Sequence, residues 1–216
     1  AAYVRGPLLV VVPWDLLRSQ TARKFLTFGL LRRLGVLDEN ARNPIVGIIT
    51  KRPESVSNLD FFEFCNVIVA TASSLSMGAA LPLADEIALR CNTLIIDEAH
   101  HVAAAKWAEF RAAFNQRPVL QFTATPFRRD NQLVDGQVIY NYPLRSAQRD
   151  NYFKKIIFEP VYEIDQVRAD RAIVDAAIAR LRTDIAAGRN HLLMARCVNI
   201  NRAQSVFTLY QAAAPD

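Results

Sequence analysis

Five short runs of aliphatic and β-branched residues recur along the first part of the chain, at 8–12, 45–50, 66–71, 93–97 and 119–123. Four of them are nearly continuous apolar stretches with no alternation of period two, the pattern of strands buried on both faces. Helix-length segments lie between them. Residues 16–33 carry apolar side chains at helical spacing, with five basic residues and no acid; 81–89 and 103–114 are shorter. Strands alternating with helices predict an α/β fold, a mostly parallel sheet with helices on both faces.

Beyond these runs the pattern changes. Residues 130–151 are polar and aromatic without a clear period. Residues 155–161 read as a strand. Residues 170–187 read as a helix, with Asp170 as its cap, a stripe of Ile173, Val174, Ala177, Ile178, Leu181 and Ile185, and Gly188 just past its end. A strand at 191–195 and a helix at 201–213 follow. The expected organisation is a first α/β domain over 1–145, a connector over 146–165, and the beginning of a second domain of the same kind over 166–216.

Composition narrows the chemistry. The 216 residues, 51% hydrophobic and 22% charged, suffice for a substantial core. Net charge is +5, a mild lean toward polyanionic partners. Only 7 residues are glycine and no Gly-Lys dipeptide occurs, so residues 1–216 carry neither a phosphate-binding P-loop nor a dinucleotide fingerprint. The chain also lacks the Gly-x-Ser-x-Gly turn of α/β hydrolases. Cys65, Cys91 and Cys197 form no CxxC pair, and no histidine pairs with them at zinc spacing. No apolar run approaches the roughly 18 residues that span a bilayer. These features predict a cytoplasmic protein.

The sharpest chemical signal is Leu94-Ile95-Ile96-Asp97-Glu98-Ala99-His100. A buried strand ends there in two adjacent carboxylates, and ligands of open parallel sheets bind at the carboxyl ends of strands. Asp97 is placed to hold Mg²⁺ through water. Glu98, one residue on, points elsewhere and can orient or activate an attacking water. The second signal is Thr123-Ala124-Thr125-Pro126-Phe127-Arg128-Arg129-Asp130, at the end of the next strand. Its two hydroxyls emerge beside the acid pair, with His100 as the obvious hydrogen-bond partner.

Asp97-Glu98-Ala99-His100 followed by Thr123-Ala124-Thr125-Pro126 resembles motifs II and III of superfamily 2 helicases and translocases. The Phe-Arg-Arg-Asp continuation resembles the DEAH-box members grouped with restriction-enzyme motor subunits and DNA-repair helicases. Weaker likenesses fall in family order: Val10 to Trp14 with Gln20 is similar to motif Ia, Val69 to Leu75 to motif Ib, and Leu192 to Arg196 to the start of motif IV. Tyr140-Asn141-Tyr142-Pro143-Leu144 looks like the connector that follows motif III.

The resemblance implies RecA-like domains, with ATP and Mg²⁺ as cofactors and nucleic acid as partner, DNA favoured over RNA. It implies catalytic roles for Asp97, Glu98 and His100, with Asp97 the metal-holding carboxylate, and coupling roles for Thr123 and Thr125. It places nucleic acid against Pro13, Trp14, Thr71 and Ser73, with Ser74 beside them, and against Arg128 and Arg129. The basic residues Arg18, Arg23, Lys24, Arg32 and Arg33 form either a non-specific contact or a solvated face. The family's motif I is expected upstream of residue 1 and motifs V and VI past residue 216, so residues 1–216 alone are expected not to hydrolyse ATP. Two functions stay open: an ATP-driven nucleic-acid motor, and a RecA-like binding or scaffolding module without ATPase activity.

Overall fold

The computed structural model describes residues 6–38, 40–75, 82–101, 109–127 and 133–214. The chain divides into two compact units, Ala1–Val138 and Ile139–Asp216. No helix among the described residues is long and apolar enough to cross a membrane.

The first unit is built on five strands: β1 (Leu8–Val12), β2 (Val46–Ile49), β3 (Val67–Thr71), β4 (Thr93–Ile96) and β5 (Val119–Gln121). They pair in the order β2-β3-β1-β4-β5, and every pairing is parallel. All five expected strands form. The alternation hidden in their apolar runs appears once both faces are assigned. Leu9, Val11, Ile68, Ala70, Leu94 and Ile96 enter one core, whereas Leu8, Val10, Val12, Val67 and Val69 enter another. A strand with a core on each face has no position left for a polar side chain, and for that reason the runs read as continuous.

Helix α1 (Asp15–Thr27) covers the second face with Ala22, Leu17 and Phe25. The first face is covered by a 3-10 segment (Val56–Phe64), α3 (Ala72–Leu75), α4 (Pro82–Arg90), and Phe110 and Phe114. Fully burying a side chain such as Phe62 or Ile87 contributes about 1.5–3 kcal/mol each. The 3-10 segment opens on a capping box between Ser55 and Asn58.

The single helix expected over 16–33 is two. Phe28 adopts φ 47° and ends α1, and α2 (Gly29–Arg33) starts anew from it. The Phe28 amide still donates to the Lys24 carbonyl at 3.0 Å, so the apolar spacing runs on through the break. The helix expected over 103–114 falls largely outside the described residues.

In the second unit lie α5 (Leu144–Arg149), α6 (Gln166–Ala186) and α7 (Ile200–Ala213). The long helix begins four residues earlier than expected because Asp165, not Asp170, caps it, accepting from the Arg168 amide at 2.9 Å. Asp170 instead bonds Arg202 of α7 at 2.7 Å. Val174 and Ile178 are buried, while Ile173 and Ile185 of the same stripe remain exposed. The strands expected at 155–161 and 191–195 do not form: both segments are irregular and pair with no strand among the described residues. An apolar run becomes a strand only when another backbone satisfies its amides and carbonyls.

Candidate functional site

Because every strand of the sheet runs the same way, their carboxyl ends share one edge, where ligands of open α/β sheets bind. The register sets the alignment. Val12 pairs with Thr71, Val11 with Ile96, and Ile96 with Gln121. Pro13 and Trp14 after β1, Thr71 and Ser73 at the end of β3, Asp97 to His100 after β4, and Thr123 to Thr125 after β5 therefore crowd along adjacent strand ends.

The acid pair is held by backbone on both sides. The Asp97 amide donates to the Val11 carbonyl at 2.8 Å, and the Ala99 amide to the Phe122 carbonyl at 3.0 Å. Between them the Glu98 amide donates to Asp97 Oδ1 at 3.0 Å. That bond turns the chain sharply, and Glu98 sits at φ 51°, in the left-handed region that a residue with a Cβ enters at a cost of about 1–2 kcal/mol. Strain of this kind clusters at functional sites. Glu98 Oε2 is buried, receives no hydrogen bond among the described residues, and lies 3.4 Å from His100 Nδ1, within ion-pairing distance. A buried carboxylate oxygen without a donor is destabilising unless a ligand or water supplies one.

His100 Nδ1 lies 2.8 Å from Thr123 Oγ1, joining the ends of β4 and β5. The Thr123 hydroxyl donates to the Thr125 carbonyl at 2.6 Å and accepts from the Thr125 amide at 3.2 Å. Its single proton is thus committed to a carbonyl, which can only accept. His100 Nδ1 must then be the donor in its bond to Thr123. Thr125 takes part through its backbone; its side chain is exposed.

The expected nucleic-acid residues divide. Thr71 is buried, 1% exposed, and its hydroxyl is taken up locally: it lies 3.0 Å from Ser73 Oγ and accepts from the Ser74 amide at 3.2 Å. Ser74 Oγ closes the turn by accepting from the Thr71 amide at 3.1 Å and donating to the Thr71 carbonyl at 2.9 Å. Of this turn, Ser73 faces outward. Trp14 is exposed at the start of α1. Arg128 and Arg129 lie outside the described residues.

Two members of the basic helical stretch are structural. Arg18 donates to the Ile49 carbonyl at 3.3 Å and pairs with Asp15 at 2.8 Å. Arg32 donates to the carbonyls of Asp38 and Ala41 and to Asn43 Oδ1, fixing the loop ahead of β2. Arg23, Lys24 and Arg33 remain exposed.

Among the described residues no three His, Cys, Asp or Glu side chains cluster as a metal cage. A lone strand-end carboxylate suits Mg²⁺, which keeps several waters and is usually bound by one or two carboxylates together with substrate phosphates. Asp97 is a carboxylate of that kind.

No curated relative matches the chain. The sequence model of the family described as "Type III restriction enzyme, res subunit" (ResIII) matches residues 2–128, more than half of the chain and nearly all of the first unit. The five-stranded parallel sheet is the RecA-like α/β fold expected of such a protein. The chain belongs to the family of type III restriction enzyme res subunits, which is helicase-like and ATP-hydrolysing.

Proposed function

We propose that the full-length protein is an ATP-driven nucleic-acid translocase or helicase acting on DNA. The observation that carries this reading is the strand-end pair Asp97-Glu98, with Glu98 held at φ 51° and its Oε2 buried without a donor. Nothing in the packing of a parallel sheet calls for a residue with a Cβ in the left-handed region there. In this reading Asp97 would hold the magnesium of MgATP. The bound ion would neutralise charge developing on the phosphate oxygens. Glu98 accepts a proton from, or orients, the attacking water. His100 and Thr123 tie the hydrolysis site to the neighbouring strand end, with Thr125 setting the hydroxyl's direction through its backbone.

Pro13, Trp14 and Ser73 would contact the nucleic-acid strand, with Arg128 and Arg129 adding charge, and Thr71 would position Ser73 rather than touch the strand. Residues 1–145 would form one RecA-like domain, 146–165 the connector, and 166–216 the beginning of its partner domain, the two closing on ATP and opening after hydrolysis so that one steps along the strand. The preference for DNA rests on the Thr-Ala-Thr-Pro-Phe-Arg-Arg-Asp context by analogy.

The test is ATP turnover by the full-length protein, titrated with single-stranded and duplex DNA and with RNA. The motor reading expects magnesium-dependent turnover stimulated most by DNA, and its loss with retained nucleotide binding in Glu98→Gln. Nucleic-acid binding with no turnover under any condition would instead establish the binding module.

A further inference from the structure

The second unit opens on a surface that the motor reading does not use. Tyr140, Tyr142 and Tyr152 are 78%, 41% and 77% exposed, and Phe153 beside them is exposed as well. Their rings are not scattered. Tyr140 and Tyr142, two residues apart, stack with centroids 6.5 Å apart and planes 15° from parallel. Tyr142 meets Tyr152 edge-to-face at 6.3 Å.

Three features hold this arrangement. Asn151 adopts φ 61° after α5, and the Tyr152 amide folds back to the Ala147 carbonyl at 2.9 Å, which returns Tyr152 to the side of Tyr142. The Tyr142 hydroxyl donates to Asp150 Oδ2 at 2.6 Å. Asp150 Oδ1 accepts from Arg149 Nε at 3.1 Å, so the acid in the group is already paired. Ring positions fixed before a ligand arrives lower the ordering cost of binding it. The segment that carries the rings is net basic: between Ile139 and Lys155 stand Arg145, Arg149, Lys154 and Lys155 against Asp150 alone, and all four basic residues are exposed.

Pre-set aromatic faces flanked by cations suit a polyanion whose units carry flat, unpaired π-faces. We infer that Tyr140, Tyr142 and Tyr152, with Arg145, Lys154 and Lys155, form a stacking platform for single-stranded nucleic acid, binding bases by their faces and phosphates by charge without sequence preference. This deepens the motor reading by placing a strand contact in the second unit, and it rests on that reading only for the presence of a strand.

Binding is measured without nucleotide, by anisotropy of a labelled oligodeoxythymidylate on the full-length protein, so hydrolysis does not enter. Tyr140→Ala and Tyr152→Ala each weaken binding about tenfold while the dependence on salt keeps its slope. Tyr140→Phe binds as the parent does. The double variant Lys154→Gln/Lys155→Gln instead flattens the slope of log affinity against log salt, by about 0.7 for each phosphate that the side chains no longer neutralise. Blunt duplex DNA, whose bases offer no free faces, is bound equally by parent and tyrosine variants. Thermal melting confirms that each variant is folded.

Parent-like strand affinity in both alanine variants overturns the platform, as does an equal loss on duplex. A change in self-association with strand affinity intact makes the face a protein interface and also overturns it. Full DNA-stimulated turnover alongside parent-like binding by these variants sinks the platform and leaves the motor; absent turnover alongside the expected losses does the reverse.

Discussion

His100 Nδ1 donates to Thr123 Oγ1 across 2.8 Å, and through that one bond the end of the acidic strand is tied to the end of its neighbour. The direction follows from the Thr123 proton being committed to the Thr125 carbonyl at 2.6 Å. Neutral His100 is therefore the Nδ1–H tautomer, with Nε2 as its acceptor. Nitrogen NMR of the histidine ring at neutral pH checks this directly. Thr123→Ser keeps the bond. Thr123→Val and His100→Ala each remove it, at about 0.5–1.5 kcal/mol of stability. Because the same interaction disappears either way, the double variant is expected to lower nucleic-acid-stimulated ATP turnover no further than the worse single variant; additive losses would mean that the two residues act separately.

Glu98 makes two separable predictions. Glu98→Gln in the full-length protein lowers ATP turnover by about a hundred- to ten-thousandfold, the usual worth of a positioned general base, with nucleotide affinity retained. The φ of 51° adds a stability signature. In ordinary backbone alanine is favoured over glycine by about 0.5–1 kcal/mol. At position 98 the order reverses: Glu98→Gly unfolds at higher denaturant than Glu98→Ala, because only glycine adopts this φ without penalty. The usual order would place the strain elsewhere.

How much of this is legible in the sequence depends on what each residue has to satisfy. The strands of the sheet are visible because Leu8 to Val12 and Val67 to Thr71 are buried on both faces and tolerate almost no polar residue. Asp97-Glu98 stands out because two carboxylates end a run that is otherwise apolar. What stays hidden turns on single torsions or distant partners. Nothing in the spacing of residues 16–33 marks Phe28 as the break. Helix α5 is six residues long, too short to show a period. The apolar runs at 155–161 and 191–195 resemble strands, but a strand is a property of two segments. The hydroxyl of Thr71 suggests a phosphate ligand, while its burial depends on the register with Val12. Arg180 and Asp184, four apart on one helix, are the local sign of an ion cluster whose other members come from before the helix (Glu159) and from past its end (Arg189 and His191).

Gly47 tests the packing of the sheet's edge. A Cβ there would stand 2.7 Å from Cys65 Sγ and 2.7 Å from the Phe61 ring, both side chains against β2. Gly47→Ala therefore overpacks the site and costs about 1–3 kcal/mol. Cys65→Ala removes one of the two obstructions, so the double variant recovers part of the loss. A denaturant series on the four proteins gives the coupling, and strict additivity would contradict the close approach.

The cysteines differ in accessibility. Cys65 and Cys91 are buried free thiols, and burial pushes Cys91 up to about 12 and raises Cys65. Thiolate is the reactive form, so a thiol reagent at neutral pH should modify Cys197 alone in the folded protein and all three after denaturation. Rapid native labelling of Cys91, located by peptide mass, would show that its core opens.

Asp184 supplies the dependence on acid. Its side chain is 8% exposed on α6, with Oδ1 accepting from Arg189 at 2.9 Å, and Oδ2 from His191 Nδ1 at 2.9 Å and Arg180 at 3.3 Å. Burial pushes this carboxyl upward, but the bonds from His191 and Arg180 outweigh it and hold the group below its ordinary value. The unfolded chain then binds the proton more readily than the folded one, so protonation favours unfolding. The stabilisation is complete above the unfolded value of about 3.9 and is lost as pH falls below it through the folded value. Asp184→Asn removes the titrating group. Parent and variant should differ in unfolding midpoint at neutral pH, with the parent more stable, and the gap should close on acidification below about pH 4. A gap that persists unchanged into acid would show that Asp184 acts through packing, with its charge contributing nothing.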